Sequence, residues 1–224
     1  MIKLCVGGSK GKTGSRISEL AKEDKRFELS GQFDEGDDPK GLVESCDCLI
    51  EFTSPEATVA HAKLCANLGK PVVIGTTGLS EDQKKTIEEA AKSVPVVMSP
   101  NMSVGVNLLF KMVADAAKIL GKDYSVDMVE AHHIEKKDSP SGTAKELERL
   151  IKKSKPHTEV HIDSIREGEI VGEHTVTFDS DVDMIEITHS AKTRDIFAQG
   201  ALEAAHWLVG KKPGLYTMRD VLGL

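Results

Sequence analysis

The sequence predicts a doubly wound α/β fold built on a parallel sheet, with an α+β domain inserted into it. Three features predict this arrangement. Short apolar runs alternate with helical patterns over the first half of the chain, a glycine-rich loop follows the first run, and later runs end in polar or glycine-containing turns. Strands separated by helices pair in parallel through right-handed crossovers.

The elements of the first half follow one another in regular alternation. Residues 2–6 form the first apolar run, and a helix at 13–23 follows with Ile17, Leu20 and Ala21 on one face. The same alternation predicts strands at 27–33, 46–52, 71–76 and 95–99, and helices at 55–68, 80–93 and 103–120. Ligands bind beyond the carboxyl ends of the strands in such sheets.

The pattern changes in the second half. A strand at 124–133 and a helix at 141–153 precede strands with two-residue alternation at 159–165, 173–178 and 183–189, and the turn before the last strand predicts an antiparallel hairpin. A helix within 194–212 has an apolar side formed by Phe197, Ala201, Ala204, Ala205 and Leu208. We therefore expect a first domain at 1–101 plus 194–224 and an inserted domain at 102–193.

The loop GGSKGKTG at residues 7–14 is compatible with two kinds of phosphate site, or with a plain turn. A triphosphate loop requires a glycine where the sequence has Val6. Glycines instead recur every third residue from Gly8 to Gly14, although Ser9 interrupts the strict G-x-G-x-x-G pattern. Asp34 ends the second strand 20 residues after Gly14, where dinucleotide folds place an acid for the adenosine ribose. Together these features favour a Rossmann-like dinucleotide site.

Composition excludes several classes of function. The 39% hydrophobic content supports a full core, and the net charge of −7 opposes nucleic acid as a partner. An anionic substrate must then be bound by a local cluster of positive groups. No apolar run approaches the length of a membrane span, and the four dispersed cysteines are typical of small core residues in a reducing compartment. We expect a cytoplasmic protein without membrane association.

The segment EAHHIEKKDSPSGTAKEL, residues 130–147, is dense in chemically active side chains. Adjacent histidines on a strand point to opposite faces, so His132 and His133 are poorly placed to share a metal ion, and we predict no metal site. The alternative is an anion site. Ser141, Gly142 and Thr143 open a helix whose N–H groups suit a carboxylate, and Lys136, Lys137 and the histidines supply charge and protons upstream. An ordinary Ser141 N-cap with solvated lysines is the simpler explanation.

The motif E-A-H-H-x-x-K-x-D-x-P-S-G-T-A resembles the signature of the dihydrodipicolinate reductase family. The resemblance continues through GGSKGKTG, EFTSPEAT, GTTG, SPNMSVGVN, IREGEIVGEHTVTF, IEITHSAKTRDIFAQGALEAAHWL and GLYTMRDVL, so it covers most of the chain. It implies a dinucleotide-binding domain, a substrate-binding and tetramerisation domain, and hydride transfer from NADH or NADPH to ring C4 of a small dicarboxylate heterocycle. The implied pathway is lysine and diaminopimelate biosynthesis.

The resemblance also implies roles for individual residues. His132 is similar to the family's proton donor and acceptor, and Lys136 to its second donor. His133, Gly142 and Thr143 are similar to substrate contacts, to which we add Ser141 as a possible carboxylate ligand. The implied cofactor shell consists of Gly8, Ser9, Lys10, Gly11, Lys12, Thr13, Asp34, Gly75, Thr76, Thr77, Ser99, Pro100, Asn101 and Met102. Met102 stands where the family often has an aromatic ring, and Ser139 where it often has alanine.

Two further expectations and two alternatives complete the analysis. Asp34 and Glu35, without an arginine nearby, predict a preference for NADH over NADPH, with NADPH still accepted. A homotetramer is expected through the sheet of the second domain, whose apolar side we assign to Val176, Phe178, Ile185 and Ile187. The alternatives are an NAD-binding redox-sensing regulator and another NAD(P)-dependent amino-acid or imino-acid dehydrogenase.

Overall fold

Residues 1–224 are all described by the computed structural model, and they divide into two units. The first unit contains Met1–Val104 and Asp195–Leu224, and the second contains Gly105–Arg194. In chain order the elements are β1 (Ile2–Gly7), α1 (Lys12–Glu23), β2 (Phe27–Phe33), α2 (Lys40–Ser45), β3 (Cys48–Glu51), α3 (Pro55–Leu68), β4 (Val72–Ile74), α4 (Glu81–Ala91), β5 (Pro95–Met98), α5 (Val104–Ile119), β6 (Ser125–His132), α6 (Gly142–Ser154), β7 (Val160–Arg166), β8 (Glu173–Asp179), β9 (Met184–Ser190), α7 (Asp195–Leu208), β10 (Gly214–Tyr216) and α8 (Met218–Leu222).

A six-stranded parallel sheet with the strand order β10-β5-β4-β3-β1-β2 forms the core of the first unit. Residues alternate between its two faces, so that Leu4 and Val6 join a cluster with α1 and α7, while Cys5 joins another with α3 and α4. Strands β3 and β4 are buried throughout because helices cover both faces. The predicted Rossmann-like doubly wound sheet is confirmed.

Local capping signals explain why some helix boundaries agree with the sequence. Helix α3 begins after Ser54, whose hydroxyl accepts a hydrogen bond from the N–H of Ala57, and Pro55 occupies the first turn. The helix ends at Gly69 in the left-handed conformation. Its predicted range of 55–68 therefore matches the observed one.

Other elements differ from the prediction. The third strand, predicted at 46–52, spans only Cys48–Glu51, since Cys46 caps the end of the short helix α2. Helix α2, strand β10 and helix α8 were not predicted. Helix α2 has six residues and no side-chain N-cap, and β10 exists only through its pairing with β5, more than 100 residues earlier in the chain.

The second unit is a four-stranded sheet with the order β7-β6-β8-β9 and two helices. Strands β6 and β7 are parallel across α6, whereas β6–β8 and β8–β9 are antiparallel, which confirms the predicted hairpin. Side chains from α5 and α6 form one hydrophobic cluster with those from β6 and β8, so the two helices cover one face of this sheet.

The prediction that Val176, Phe178, Ile185 and Ile187 form an uncovered apolar face is wrong for three of the four residues. Val176 lies opposite Met128, Phe178 lies opposite Val126, and all four of these side chains belong to the cluster under the helices. Ile187 packs against the same cluster, whereas Ile185, opposite Phe178, remains 38% exposed. The other face carries Val129 and Thr175 instead.

Two remaining expectations concern cysteines and membranes. All four cysteines are unpaired and buried, as expected for core residues. None of the eight helices combines the length and the apolar character that crossing a bilayer requires.

Candidate functional site

The glycine loop between β1 and α1 makes a turn that only glycine permits. Gly8 has a φ of +76°, and a Cβ at this position would lie 2.1 Å from the carbonyl oxygen of Phe52. A Cβ on Gly14 would lie 2.1 Å from the carbonyl oxygen of Gly8. The N–H groups of Gly8 and Ser9 donate to the carbonyl of Phe33, which fixes the loop against the end of β2. The spacing of the glycines is thus a packing requirement of the turn.

A cavity of about 360 Å³ lies at the N-terminus of α1. The first N–H groups of this helix have no acceptor within the helix, so they suit a phosphate. Nine of the predicted cofactor residues line this cavity: Gly11, Lys12, Thr13, Gly75, Thr76, Thr77, Pro100, Asn101 and Met102. It also contains four that were not predicted: Gly14, Phe52, Thr53 and Phe197.

A second cavity of about 510 Å³ contains the predicted Gly8 and Asp34 and shares Gly11, Phe52 and Thr53 with the first. Its wall also includes Glu35 and Asp37, whose charge bears on the expected cofactor preference, and the unpredicted Gly36, Ser54, Glu56, Ala57 and His61. Hydrogen bonds from the backbone N–H groups of Lys10, at 2.8 Å, and Glu35, at 2.9 Å, hold the pKa of Asp34 below its usual value. Asp34 therefore places a carboxylate at this cavity.

Three predicted cofactor residues do not line either cavity. The hydroxyl of Ser9 donates to the carbonyl of Phe33, and the hydroxyl of Ser99 donates to the carbonyl of Asn101. Lys10 contributes its backbone N–H to Asp34. These residues hold the loops in place. Phe52 and Thr53, which were not predicted, directly follow β3. Their place at the carboxyl end of a parallel strand could have indicated that they line a ligand site.

The residues of the motif at 130–147 meet in the second unit. Glu130 and His132 lie two residues apart on β6 and so point to the same face of the sheet. One carboxylate oxygen of Glu130 lies 2.5 Å from Nδ1 of His132, and the other accepts from Nη2 of Arg166 at 2.7 Å. The same oxygen accepts from the N–H of Ser141 at 3.2 Å. Neither Glu130 nor Arg166 was predicted as a site residue.

Helix α6 begins at Gly142 with Ser141 as its N-cap. The hydroxyl of Ser141 accepts from the N–H of Ala144 at 3.1 Å and contacts Nε2 of His174, also at 3.1 Å. Ser141 is buried, and its side chain acts as an ordinary N-cap that holds the turn together. Gly142 is exposed, and a Cβ there would meet no atom within 4 Å, which leaves its backbone accessible to a ligand.

The remaining motif residues are less enclosed. Lys136 lies 2.8 Å from a carboxylate oxygen of Asp138, and this contact holds the pKa of Asp138 below its usual value. His133 is half-buried directly after the end of β6. The structure therefore places a partly exposed ammonium group within four residues of the buried imidazole of His132.

Burial controls the titration of the histidines. Desolvation lowers the pKa of His132, although Glu130 opposes the shift. Desolvation also lowers the pKa of His174 to about 4, with the positive charge of His132 acting in the same direction. Burial by itself would raise the pKa of Glu130, but hydrogen bonds from Arg166, Ser164 and His132 outweigh it and hold the pKa below its usual value. His174 is therefore neutral near pH 7, and Glu130 is ionised.

The cluster of Glu130, His132 and His174 has the composition of a metal site, with one potential ligand atom from each residue within 4.8 Å of the others. Local sequence patterns do not reveal this cluster, because His174 lies on another strand. Both oxygens of Glu130 already accept hydrogen bonds. The guanidinium of Arg166, whose Nη2 lies 2.7 Å from this carboxylate, would repel a cation bound there. The geometry favours a hydrogen-bonded network over a metal ion.

Comparisons with known proteins agree over the whole chain. Residues 2–102 match the family model described as dihydrodipicolinate reductase, N-terminus, and residues 105–222 match the model of its C-terminus. The 4-hydroxy-tetrahydrodipicolinate reductase of Citrifermentans bemidjiense is 39% identical, and that of Geotalea uraniireducens is 40% identical, each over the full length of both chains.

Solved structures share the fold. The dipicolinate-bound dihydrodipicolinate reductase from Paenisporosarcina sp. TG-14 has a TM-score of 0.88 at 21% identity, covering 98% of each chain. GenD2 of gentamicin A biosynthesis, in complex with NAD, has a TM-score of 0.65 at 12% identity, covering 99% of this chain and 90% of its own. From the family models and the full-length relatives, we conclude that the chain belongs to the dihydrodipicolinate reductase family.

Proposed function

We propose that the chain is a 4-hydroxy-tetrahydrodipicolinate reductase of lysine and diaminopimelate biosynthesis. It transfers a hydride from NAD(P)H to C4 of the dihydrodipicolinate-type heterocycle and yields tetrahydrodipicolinate. One structural observation carries this proposal: Glu130 contacts both the buried imidazole of His132 and the N–H of Ser141, at the N-terminus of α6. Relatives at about 40% identity bear the name of this reductase.

The first unit supports dinucleotide binding. The N–H groups at the start of α1 suit the pyrophosphate, and the ionised Asp34 suits the hydroxyls of the adenosine ribose. When bound, the reduced nicotinamide supplies the hydride. Two adjoining cavities that share Gly11, Phe52 and Thr53 fit an elongated molecule of this kind.

The second unit supports binding of a dicarboxylate and proton transfer. The N–H groups of Gly142 and Thr143, at the positive end of the α6 dipole, suit one substrate carboxylate. His132 and Lys136 supply the proton that the conjugated C=N system takes up after hydride arrival, and their positive charge stabilises the anion formed. His133 is the remaining proposed substrate contact.

The decisive experiment measures oxidation of NADH with the fresh product of dihydrodipicolinate synthase. Other keto and imino acids serve as comparison substrates. Turnover of the synthase product at the highest kcat/KM supports the proposal. Preference for another keto or imino acid favours a different dehydrogenase, and NADH binding without turnover of any substrate favours a redox-sensing regulator.

NADH is expected to be preferred over NADPH. Asp34 accepts hydrogen bonds from ribose hydroxyls but repels a 2′-phosphate, and Glu35, Asp37 and Glu56 add negative charge at the same cavity. We expect a preference of about tenfold in kcat/KM at low ionic strength, reduced by salt. The measurement compares both cofactors in one buffer, with D34N as the variant that should lose the preference. A clear preference for NADPH would show that Lys10 and Lys12 outweigh the carboxylates.

A side chain at Gly142 is expected to weaken substrate binding without unfolding the protein. The structure has open space at this position, so G142V should fold and obstruct only an incoming carboxylate. We expect KM and the inhibition constant of pyridine-2,6-dicarboxylate to rise together by about tenfold or more, because one or two charge-assisted hydrogen bonds to the carboxylate would be lost. The matched control is G121A, a loop glycine of the same unit with equal space. Failure of dipicolinate to compete with substrate counts against the anion site.

We also propose that the protein is a homotetramer formed through the sheet of the second unit. The face opposite α5 and α6 carries the exposed Val129 and Ile165 among threonines and charged residues, and a partner sheet would cover them. Static light scattering at micromolar concentration is expected to give the mass of four chains. A V129D variant should lower that mass, and a wild-type monomer would refute the proposal.

A further inference from the structure

We propose that Glu130 is a positioning residue that keeps a proton on Nδ1 of His132 and leaves Nε2 as the nitrogen that exchanges a proton with the substrate. This inference rests on the proposed function, since it specifies how His132 acts in that reaction. Glu130 is fully buried, and its Oε2 lies 2.5 Å from Nδ1. An ionised carboxylate only accepts hydrogen bonds, so Nδ1 is the donor.

Besides the hydroxyl of Ser164, three donors converge on this carboxylate. Oε2 accepts from His132, and Oε1 accepts from Nη2 of Arg166 and from the backbone N–H of Ser141. The isosteric amide of glutamine has a single acceptor oxygen, and its –NH2 group must face either His132 or the other two donors. E130Q therefore either forces the opposite tautomer on His132 or places buried donors against each other.

The hydrogen bond from Ser141 connects the imidazole to the anion-binding end of α6. Ser141 is the N-cap, and Gly142 and Thr143 follow it directly. One carboxylate thus fixes both the proton-transfer group and the turn whose N–H groups face the substrate. Loss of Glu130 should consequently affect both kcat and KM.

The lack of a side chain at Gly172 leaves Nε2 of His132 uncrowded on that side. A Cβ at this position would lie 3.1 Å from Nε2, closer than ordinary van der Waals contact. The titratable and charged groups that face the imidazole are Glu130, Lys136, Arg166 and His174. Glu130 carries the negative charge of this set, so its removal disfavours the imidazolium and moves the pKa of His132 to lower values.

The test measures the tautomer of His132 and the kinetics of E130Q in the full-length protein. Long-range ¹H–¹⁵N correlation spectra, assigned with H132Q, should show the proton of His132 on Nδ1 in the unsubstituted protein. E130Q should lower kcat by about 10²–10⁴-fold, because a His132 held in the wrong tautomer loses its general-acid contribution. It should also raise KM and the inhibition constant of dipicolinate. The alkaline limb of the pH profile of kcat/KM should shift to lower pH, and the affinity for NADH should not change.

The matched control is E146Q, which removes a Glu–Arg pair of equal length, 2.7 Å, on the surface of α6 and should keep wild-type values. A proton on Nε2 in the unsubstituted protein, or wild-type kcat and pH profile in E130Q, overturns the proposal. The spectrum of the unsubstituted protein decides the question even if E130Q does not fold. Absence of reductase activity would refute the proposed function, whereas the tautomer and dipicolinate affinity still test Glu130.

Discussion

Replacement of His132 or of Lys136 by alanine is expected to lower kcat by about 10²–10⁴-fold, the usual effect of removing a general acid or base. His132 is held at the end of β6 by Glu130, and Lys136 carries its ammonium group beside Asp138. Neither residue lines the two cavities of the first unit. NADH affinity should therefore remain near the wild-type value, which fluorescence titration can measure alongside the kinetics.

Matched controls separate this effect from a general loss of charge. His157, in the turn after α6, is exposed, and Lys152 on α6 is exposed and forms an ion pair with Glu148. H157A and K152A should keep wild-type turnover, because neither residue belongs to the proposed site and exposed ion pairs contribute little. If H132A and K136A both turned over at the wild-type rate, the catalytic assignment would be wrong.

Acidification is expected to destabilise the protein through His174. Burial lowers the pKa of its imidazole from 6.5 to about 4, so the unfolded chain binds a proton between these values while the folded chain does not. The free energy of unfolding is therefore unaffected by this group above pH 6.5 and falls as pH decreases toward 4. The loss should reach about 3 kcal/mol, since each unit of pKa shift corresponds to about 1.4 kcal/mol. Urea unfolding at several pH values measures it.

The variant H174Q isolates this contribution. Glutamine cannot titrate in this range, so the dependence on pH between 6.5 and 4 should be flatter by about 3 kcal/mol, even though loss of the contact with Ser141 lowers the stability at neutral pH. His189, opposite His174 on β9, has a pKa that burial also lowers, and it should account for part of the remaining slope. The control H157Q, at an exposed position in the turn after α6, should behave as the wild type. Equal slopes in H174Q and wild type would show that His174 does not carry the effect.

Local interactions made much of this protein predictable. The alternation of apolar runs and helical patterns predicted the parallel sheet and the range of α3, whose ends Ser54, Pro55 and Gly69 fix in the structure. The glycine loop was recognisable because a close approach of Gly14 to Gly8 is a property of one turn. The motif at 130–147 brought His132 and the start of α6 into one segment, which is why the anion site could be proposed from the sequence.

Contacts between distant segments were decided by the tertiary structure. Arg166 and His174 reach Glu130 from other strands, 36 and 44 residues along the chain, and no local pattern marks them as its partners. The same holds for Phe197, which reaches the cavity at the N-terminus of α1 from α7. Two-residue alternation correctly placed Val176 and Phe178 on one face of their strand. It did not reveal which face of the sheet α5 and α6 would cover. Alternation is a property of a single strand, whereas burial depends on how helices far away in the sequence pack against the sheet.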